Sequence, residues 1–348
     1  IKDIKCSGNW MWAMKYKGEK DRIYRTCKAA CDFAMKLGIS FDGGKDSLSM
    51  AVEHNDEVIK APGTFVVSGY AFVPNILNKV TPDFKNNNSN IVYVDLGKYK
   101  NRLGGSVFAQ VTKQLGDVSP DVNYFDLLRV FHLIQNNLDT IYAGHDRSDG
   151  GLITTILEMC FAGNLGCELH IDTDDWLSYF FNEELGLVLE TDNQELIKEL
   201  NIIVPTTVIG KTTNIDCINI NDSFKYRMTE LREEWEKSSH FIELKQTDND
   251  CVEMEKENRM NFITFKHDYK LNIQPKSRKI IGVVREEGSN GHKEMMSAFY
   301  KAGNDVCDIT MTDIFNHKTL NGFDGLAFVG GFSYSDVLGS ATGWYESI

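Results

Sequence analysis

Four short segments hold residue types that can do chemistry. The first is Gly144-His145-Asp146-Arg147-Ser148-Asp149-Gly150-Gly151. Its glycines let the backbone approach a ligand closely. The N–H groups at the start of a following helix would point at whatever lies there. Asp146 is a hard oxygen donor suited to magnesium, and Ser148 can donate a hydrogen bond to a phosphate oxygen. The same spacing serves equally well for a capped helix start, with Ser148 or Asp149 as N-cap.

The second segment is Asp42-Gly43-Gly44-Lys45-Asp46-Ser47. Lys45 offers a point charge for phosphate; Asp46 and Ser47 offer metal or hydrogen-bond contacts. The glycine–lysine spacing is not that of a P-loop, and a tight turn with a surface lysine explains the residues as well. The third, Asn101 to Ser106, reads first as a packed glycine turn opening a helix, with phosphate binding as its alternative. The fourth, Gly330-Gly331-Phe332-Ser333, follows an apolar run; its glycine N–H groups could face an oxyanion, or simply turn the strand end. His145, His170, His240, His267, His292 and His317 show no metal-ligand spacing. The eight cysteines contain no Cys-x-x-Cys pair, so reduced thiols are expected.

The elements that must position these residues are legible from periodicity. Ile23, Cys27, Ala30, Ala34 and Leu37 mark a helix within 13–37, closed by Gly38, with a strand-like run at 39–42 and the loop 43–47 after it. Residues 64–73 are β-rich. IVYVDLG from Ile91 reads as a buried strand, SVFAQVTKQLG as a helix, 125–138 as an amphipathic helix, and TIYAGHD as a strand. The helix after Ser148 runs to Gly163, and ELGLVLET and TTVIGKT are further strands. This mixture without a strict repeat suits an α+β domain. Residues 230–259 hold ten acidic against five basic side chains and read as a helical connector. NNNSN at 86–90 reads as a surface-loop insertion. From Lys279, strand, helix, strand with a turn, and strand open a parallel, flavodoxin-like sheet.

The chain has 348 residues, 42% hydrophobic and 25% charged, with a net charge of -13. That suits about two or three folded domains. Nucleic acid and anionic membranes are poor partners for such an acidic surface, and no apolar run is long enough for a membrane span. The first residues carry neither signal-peptide features nor an initiating Met. Both ends are expected to be cuts within a longer, cytoplasmic chain.

KCSGNWMW (5–12), DGGKDSLSM (42–50), GHDRSDGGLITTILEMCFAGN (144–164), FNEELGLVLE (181–190), REEGSNGHKEMMSAFYKAG (285–303) and FVGGFSYSDVLGSATGW (328–344) stand in one order. Together they resemble the large, single-chain phosphoribosylformylglycinamidine synthases. The resemblance covers residues 1 to about 235 and 279–348. It implies an α+β half-module like aminoimidazole ribonucleotide synthetase, followed by the start of an α/β flavodoxin-like class I glutaminase. The expected divisions are 1–85 and 86–215 for the two lobes of the second synthetase half, 216–278 for the acidic connector and 279–348 for the amidotransferase start.

The resemblance further implies an ATP- and glutamine-dependent ligase that converts formylglycinamide ribonucleotide to formylglycinamidine ribonucleotide in purine biosynthesis, monomeric at full length. Asp146 matches a magnesium ligand and Ser148 a contact to bound ATP or ADP. Lys45, Asp46 and Ser47 stay as phosphate or metal candidates, and Gly330 and Gly331 as an oxyanion strand. No catalytic residue is expected in this stretch, because the family's glutaminase nucleophile would lie beyond Ile348. The chain by itself is therefore expected to be inactive. A different reading is a catalytically silent half-domain that binds nucleotide as a structural staple.

Overall fold

The computed structural model describes residues 3–55, 57–258, 279–317 and 320–348. They fall into two compact units, one within Ile1–Asn261 and one within Phe262–Ile348. His267 and the last part of the expected connector lie outside the described residues.

The first unit opens with β1 (Lys5–Met11), α1 (Glu19–Leu37), β2 (Ser40–Ser47), β3 (Ala51–His54), β4 (Glu57–Lys60) and β5 (Thr64–Tyr70). β1 is the middle of a three-stranded sheet, parallel to β2 and antiparallel to β5, while β3 and β4 form a hairpin. A parallel pair needs a crossover, and α1 supplies it. α1 starts later than the apolar spacing suggests because Gly18 turns the chain at φ 86°, and it stops at Gly38, φ 69°. The buried Glu19 fixes the helix start by accepting from Trp12 Nε1 at 3.0 Å, Lys60 Nζ at 3.0 Å and Arg22 Nη1 at 3.1 Å.

The Asp42–Ser47 segment is not a turn or loop. It is strand throughout, with Gly44, Lys45, Asp46 and Ser47 opposite Gly8, Asn9, Trp10 and Met11. The physical reason lies in Gly44: a Cβ there would sit 2.3 Å from the Gly8 carbonyl oxygen. Glycine at this position lets two backbones close up inside a sheet rather than reverse the chain.

The unit continues with β6 (Asn90–Asp95), α2 (Val107–Val111), α3 (Tyr124–Gln135), β7 (Ala143–Asp146), α4 (Gly151–Gly163), β8 (Gly166–Leu169), α5 (Trp176–Phe181), β9 (Gly186–Glu190), α6 (Gln194–Ile203), β10 (Thr206–Thr213), β11 (Ile218–Ile220), β12 (Phe224–Tyr226), α7 (Met228–Gln246) and α8 (Asn249–Asn258). Seven strands form a mixed sheet in the order β12-β11-β8-β10-β6-β9-β7. Both faces are covered, which is why β6 reads as an unbroken apolar run. Ile91 and Tyr93 join the core containing Leu152, Ile156 and Met159 of α4. Val92 and Val94 join the opposite core with Val130 of α3 and Leu196 and Leu200 of α6.

Two sequence expectations change here and a third is refined. β11 and β12 belong to this sheet although the expected connector takes them in; the helical part begins at Met228. α2 ends at Val111, because Lys113 and Gly116 take positive φ values of 57° and 75°. The asparagine-rich run is exposed at 86–88, as expected of a surface loop, but hydrogen bonds wire it into the sheet. The Thr212 hydroxyl donates to the Asn86 carbonyl at 2.6 Å, the Ser89 N–H donates to Thr212 Oγ1 at 3.0 Å, and the Asn87 side chain accepts from the Asn214 N–H at 2.9 Å.

The second unit holds β13 (Ile280–Arg285), α9 (His292–Lys301), β14 (Asp305–Thr310), α10 (Met311–His317), β15 (Gly325–Phe328) and α11 (Ser340–Glu346). Its sheet is parallel in the order β14-β13-β15. The expected turn after β14 is the helix α10, whose Met311 and Ile314 pack with Val284, Ile309 and Trp344 into a small core.

Candidate functional site

β7 pairs antiparallel with β9, placing Asp146 opposite Leu187. Beyond that pair the chain leaves the sheet, and Arg147 turns inward. Its side chain is 0% exposed. The guanidinium donates to the Tyr93 hydroxyl, the Glu184 carbonyl, the Leu185 carbonyl at 3.2 Å and Asp95 Oδ1 at 3.3 Å. Burial pushes the Tyr93 hydroxyl well above its usual range, and that of neighbouring Tyr179 up to about 12. Tyr93 therefore stays protonated and donates to Asp95 at 3.1 Å.

With Arg147 pinned inward, its neighbours sit nearer solvent: the Asp146 side chain is 68% exposed and Ser148 is half-buried. Asp146 lies 3.2 Å from His145 Nδ1, and the other ring nitrogen lies 3.2 Å from Glu158. The Asp146 carboxylate holds the imidazole above its ordinary pKa, and the imidazole holds Asp146 below its own. Asp146 is thus kept ionised, as a metal ligand must be.

α4 begins without a side-chain cap from Ser148 or Asp149; its N-cap is Gly150, φ 87°. A carboxylate distant in sequence acts there instead. Glu183 Oε1 accepts from the Gly150 N–H at 2.9 Å and from the Val107 N–H, at the start of α2, at 2.8 Å. Gly151, φ 77°, would bring a Cβ to 2.4 Å from the Phe180 carbonyl oxygen, so the loop admits only glycine there. The Asn101–Ser106 loop is a packed turn whose Arg102 is engaged by buried Glu184, with Nη2 to Oε2 at 2.9 Å.

Asp146 and His145 line a cavity of about 760 Å³ shared with Lys79, Asn75 and Asn78 and floored by Leu187 and Leu189. Ser148 is not among its walls. Lys45 and Asp46 line a different groove of about 410 Å³, with Cys27 and Cys31. Lys45 Nζ there donates to the Asp46 carbonyl at 3.0 Å and to Ser47 Oγ at 3.3 Å. The Gly144–Gly151 loop and the Asp42–Ser47 strand, both phosphate candidates from sequence, therefore do not meet in one cavity. In the second unit, Gly330 and Gly331 line a hollow of about 380 Å³ with Ser333 and Trp344, and Gly331 takes φ 128°.

Among the described residues, no group of three or more His, Cys, Asp or Glu is arranged to hold a metal ion. One exposed, ionised carboxylate beside a cavity fits magnesium's habit of using few carboxylates plus phosphate oxygens and water. Sequence reasoning missed Glu183, Glu184, Arg102 and Arg147 as the site's framework. Their signal was a pair of adjacent acids leading into an apolar strand, where a charge needs a partner.

Family descriptions match three successive stretches: an FGAR-AT PurM_N-like domain at 1–72, the C-terminal domain of AIR synthase related proteins at 91–216, and a CobB/CobQ-like glutamine amidotransferase domain at 278–348. The chain is 42% identical over 381 residues, with all of it covered, to the probable phosphoribosylformylglycinamidine synthase, chloroplastic/mitochondrial, of Arabidopsis thaliana. It is 40% identical over 400 residues to that of Dictyostelium discoideum, with 99% covered, and 38% identical over 375 residues to that of Homo sapiens, with 100% covered. The chain belongs to the phosphoribosylformylglycinamidine synthase family. It spans 26%, 30% and 28% of those three relatives. The first unit carries the family's synthetase-type lobes and the second the start of its amidotransferase domain. A phosphoribosylformylglycinamidine synthase II from Thermotoga maritima has a TM-score of 0.48 at 14% identity, over 65% of this chain and 37% of that one. Among the described residues, no helix is long and apolar enough to cross a membrane.

Proposed function

We propose that this chain is the second synthetase half and the amidotransferase start of a ligase that makes formylglycinamidine ribonucleotide from formylglycinamide ribonucleotide, ATP and glutamine. The observation that carries the reading is identity of 42% to one such synthase along the whole chain. In this reading the lobes occupy 1–85 and 86–215, with the connector across 216–278 and the amidotransferase from 279. The connector's helical part follows β12.

Asp146 is the magnesium ligand and Ser148 a hydrogen-bond donor to ATP or ADP. Magnesium, when bound, supplies positive charge against the phosphates. The chain's own residues do the rest: His145 holds Asp146 below its ordinary pKa, the inward Arg147 leaves Asp146 facing solvent, and Leu187 and Leu189 give the adjoining cavity an apolar floor. Lys45, Asp46 and Ser47 form a separate polar strand edge, reserved for a phosphate or metal contact in their own groove. Gly330 and Gly331 are the oxyanion strand. The only cysteine in 279–348 is Cys307. It lies on β14, away from a strand-to-helix elbow that would activate it. The full-length enzyme is read as a cytoplasmic monomer.

The test is to supply the full-length protein with formylglycinamide ribonucleotide, ATP and glutamine and to follow formylglycinamidine ribonucleotide. No product under any condition that supports a known relative would sink the reading. The silent-staple alternative is separated by chasing bound nucleotide with labelled ATP during turnover. A staple does not exchange, whereas a catalytic nucleotide exchanges at the turnover rate.

A further inference from the structure

Asn182-Glu183-Glu184-Leu185 does none of the chemistry assigned above, yet each member holds a different part of the site. The Asn182 side chain donates to the Asn101 side chain at 3.2 Å. Glu184, 1% exposed, grips Arg102. The carbonyls of Glu184 and Leu185 receive Arg147. Glu184 thus reaches both glycine loops, by its side chain to Arg102 and its carbonyl to Arg147, whereas Glu183 bonds both through a single side-chain oxygen. That oxygen takes the Val107 N–H, directly after the Asn101–Ser106 loop, and the Gly150 N–H inside the Gly144–Gly151 loop.

Two consequences follow from elementary electrostatics. A carboxylate at a helix start is favoured by the positive end of the helix. It also occupies the place that a phosphate would otherwise take on those N–H groups. We propose that Glu183 is a positioning residue whose side-chain oxygen locks the two glycine loops together by accepting from an N–H at the start of each following helix, beside the Ser106 cap of α2. Ligand phosphate is then held through Asp146 and Ser148 and not on the helix itself. The inference rests on the reading of Asp146 as a magnesium ligand. It explains why the start of α4 carries no side-chain cap from Ser148 or Asp149: the cap comes from Glu183, which leaves the Ser148 hydroxyl for a ligand.

Glu183→Ala deletes the acceptor and leaves two backbone N–H groups without it. Glu183→Asp keeps the charge but shortens the reach, so one carboxylate oxygen can no longer serve both loops. Glu183→Gln keeps an acceptor of the same length and loses the charge. All three are made in the full-length enzyme beside Asp146→Asn. The readouts are nucleotide retained after purification and the magnesium concentration that half-saturates nucleotide retention, both measured well below each variant's melting temperature. Expected is a loss of roughly 10- to 100-fold in magnesium-dependent retention for the Ala and Asp variants, with most of it restored in the Gln variant. If Ala does not fold, Asp and Gln decide. Asp146→Asn with full retention would overturn the underlying reading. Loss in Asp146→Asn, together with wild-type retention in folded Glu183→Ala or Glu183→Asp, would overturn the positioning role alone.

Discussion

Replacing Arg147 with Met is the sharpest structural test of the loop. Met follows the arginine chain only to about the Nε position, so the change removes the guanidinium with its charge and its donors. In the native protein the guanidinium serves a carboxylate, a hydroxyl and two carbonyls with no water access. Breaking a buried ion pair from one side costs about 3–5 kcal/mol. Asp95 keeps the Gly97 N–H at 3.0 Å, the Tyr99 N–H at 2.6 Å and the Tyr93 hydroxyl. Those bonds place the expected cost at the lower end, about 3 kcal/mol. That is roughly a 150-fold shift in the unfolding equilibrium, a large part of a typical domain's stability of about 5–15 kcal/mol. Urea unfolding followed by tryptophan fluorescence reports it, because Trp10, Trp12, Trp176 and Trp235 all belong to the first unit. Arg147→Lys keeps the charge but cannot span four acceptors, so it should fall between Met and wild type. A Met variant within about 1 kcal/mol of wild type would refute the view that Arg147 is the loop's buried anchor.

Two further expectations concern the first lobe. Lys60, with Arg22 and Trp12, holds the Glu19 carboxyl below its ordinary value of 4.5. A depressed carboxyl contributes stability that is present above its unfolded-state pKa and lost as pH falls through its folded value. Melting curves below pH 4.5 should therefore drop more steeply for wild type than for Glu19→Gln, and parallel curves would contradict this. Gly44→Ala should destabilise by about 1–3 kcal/mol, because the new methyl meets the Gly8 carbonyl. Hydrogen exchange of the β1 amides is the check, and unchanged protection there would refute the strand–strand contact.

How far the fold could be read depended on whether the cause was local. α3 carries its period, and α4, β6 and β9 their apolar runs, in the side chains themselves, so the local sequence exposes them. β2 does not: Gly43-Gly44-Lys45-Asp46 has turn composition, and only Gly8 on the paired strand makes a glycine necessary. α10 is short and starts where β14 stops, leaving too little periodicity to separate it from a turn. The site divides the same way. Asp146 and Ser148 lie in a glycine-bounded segment that announces a loop at a helix start. Glu183 and Glu184 act on Gly150, Val107 and Arg102, the last of these 82 positions away, and sequence spacing carries no information about such pairings. His145 looked ordinary because Glu158, its partner besides the adjacent Asp146, meets it only across the β7–α4 corner.

The proposed function turns on Asp146 holding magnesium and, through it, a nucleotide. Asp146→Asn in the full-length enzyme keeps the size and the ability to turn the chain, and removes the charge. Nucleotide released by denaturation is measured by chromatography, and a melting curve is recorded on the same sample. The mutant is expected to lose its nucleotide and its melting temperature to fall with it, because a ligand bound only to the folded state stabilises by mass action. Full occupancy with an unchanged melting temperature would contradict it.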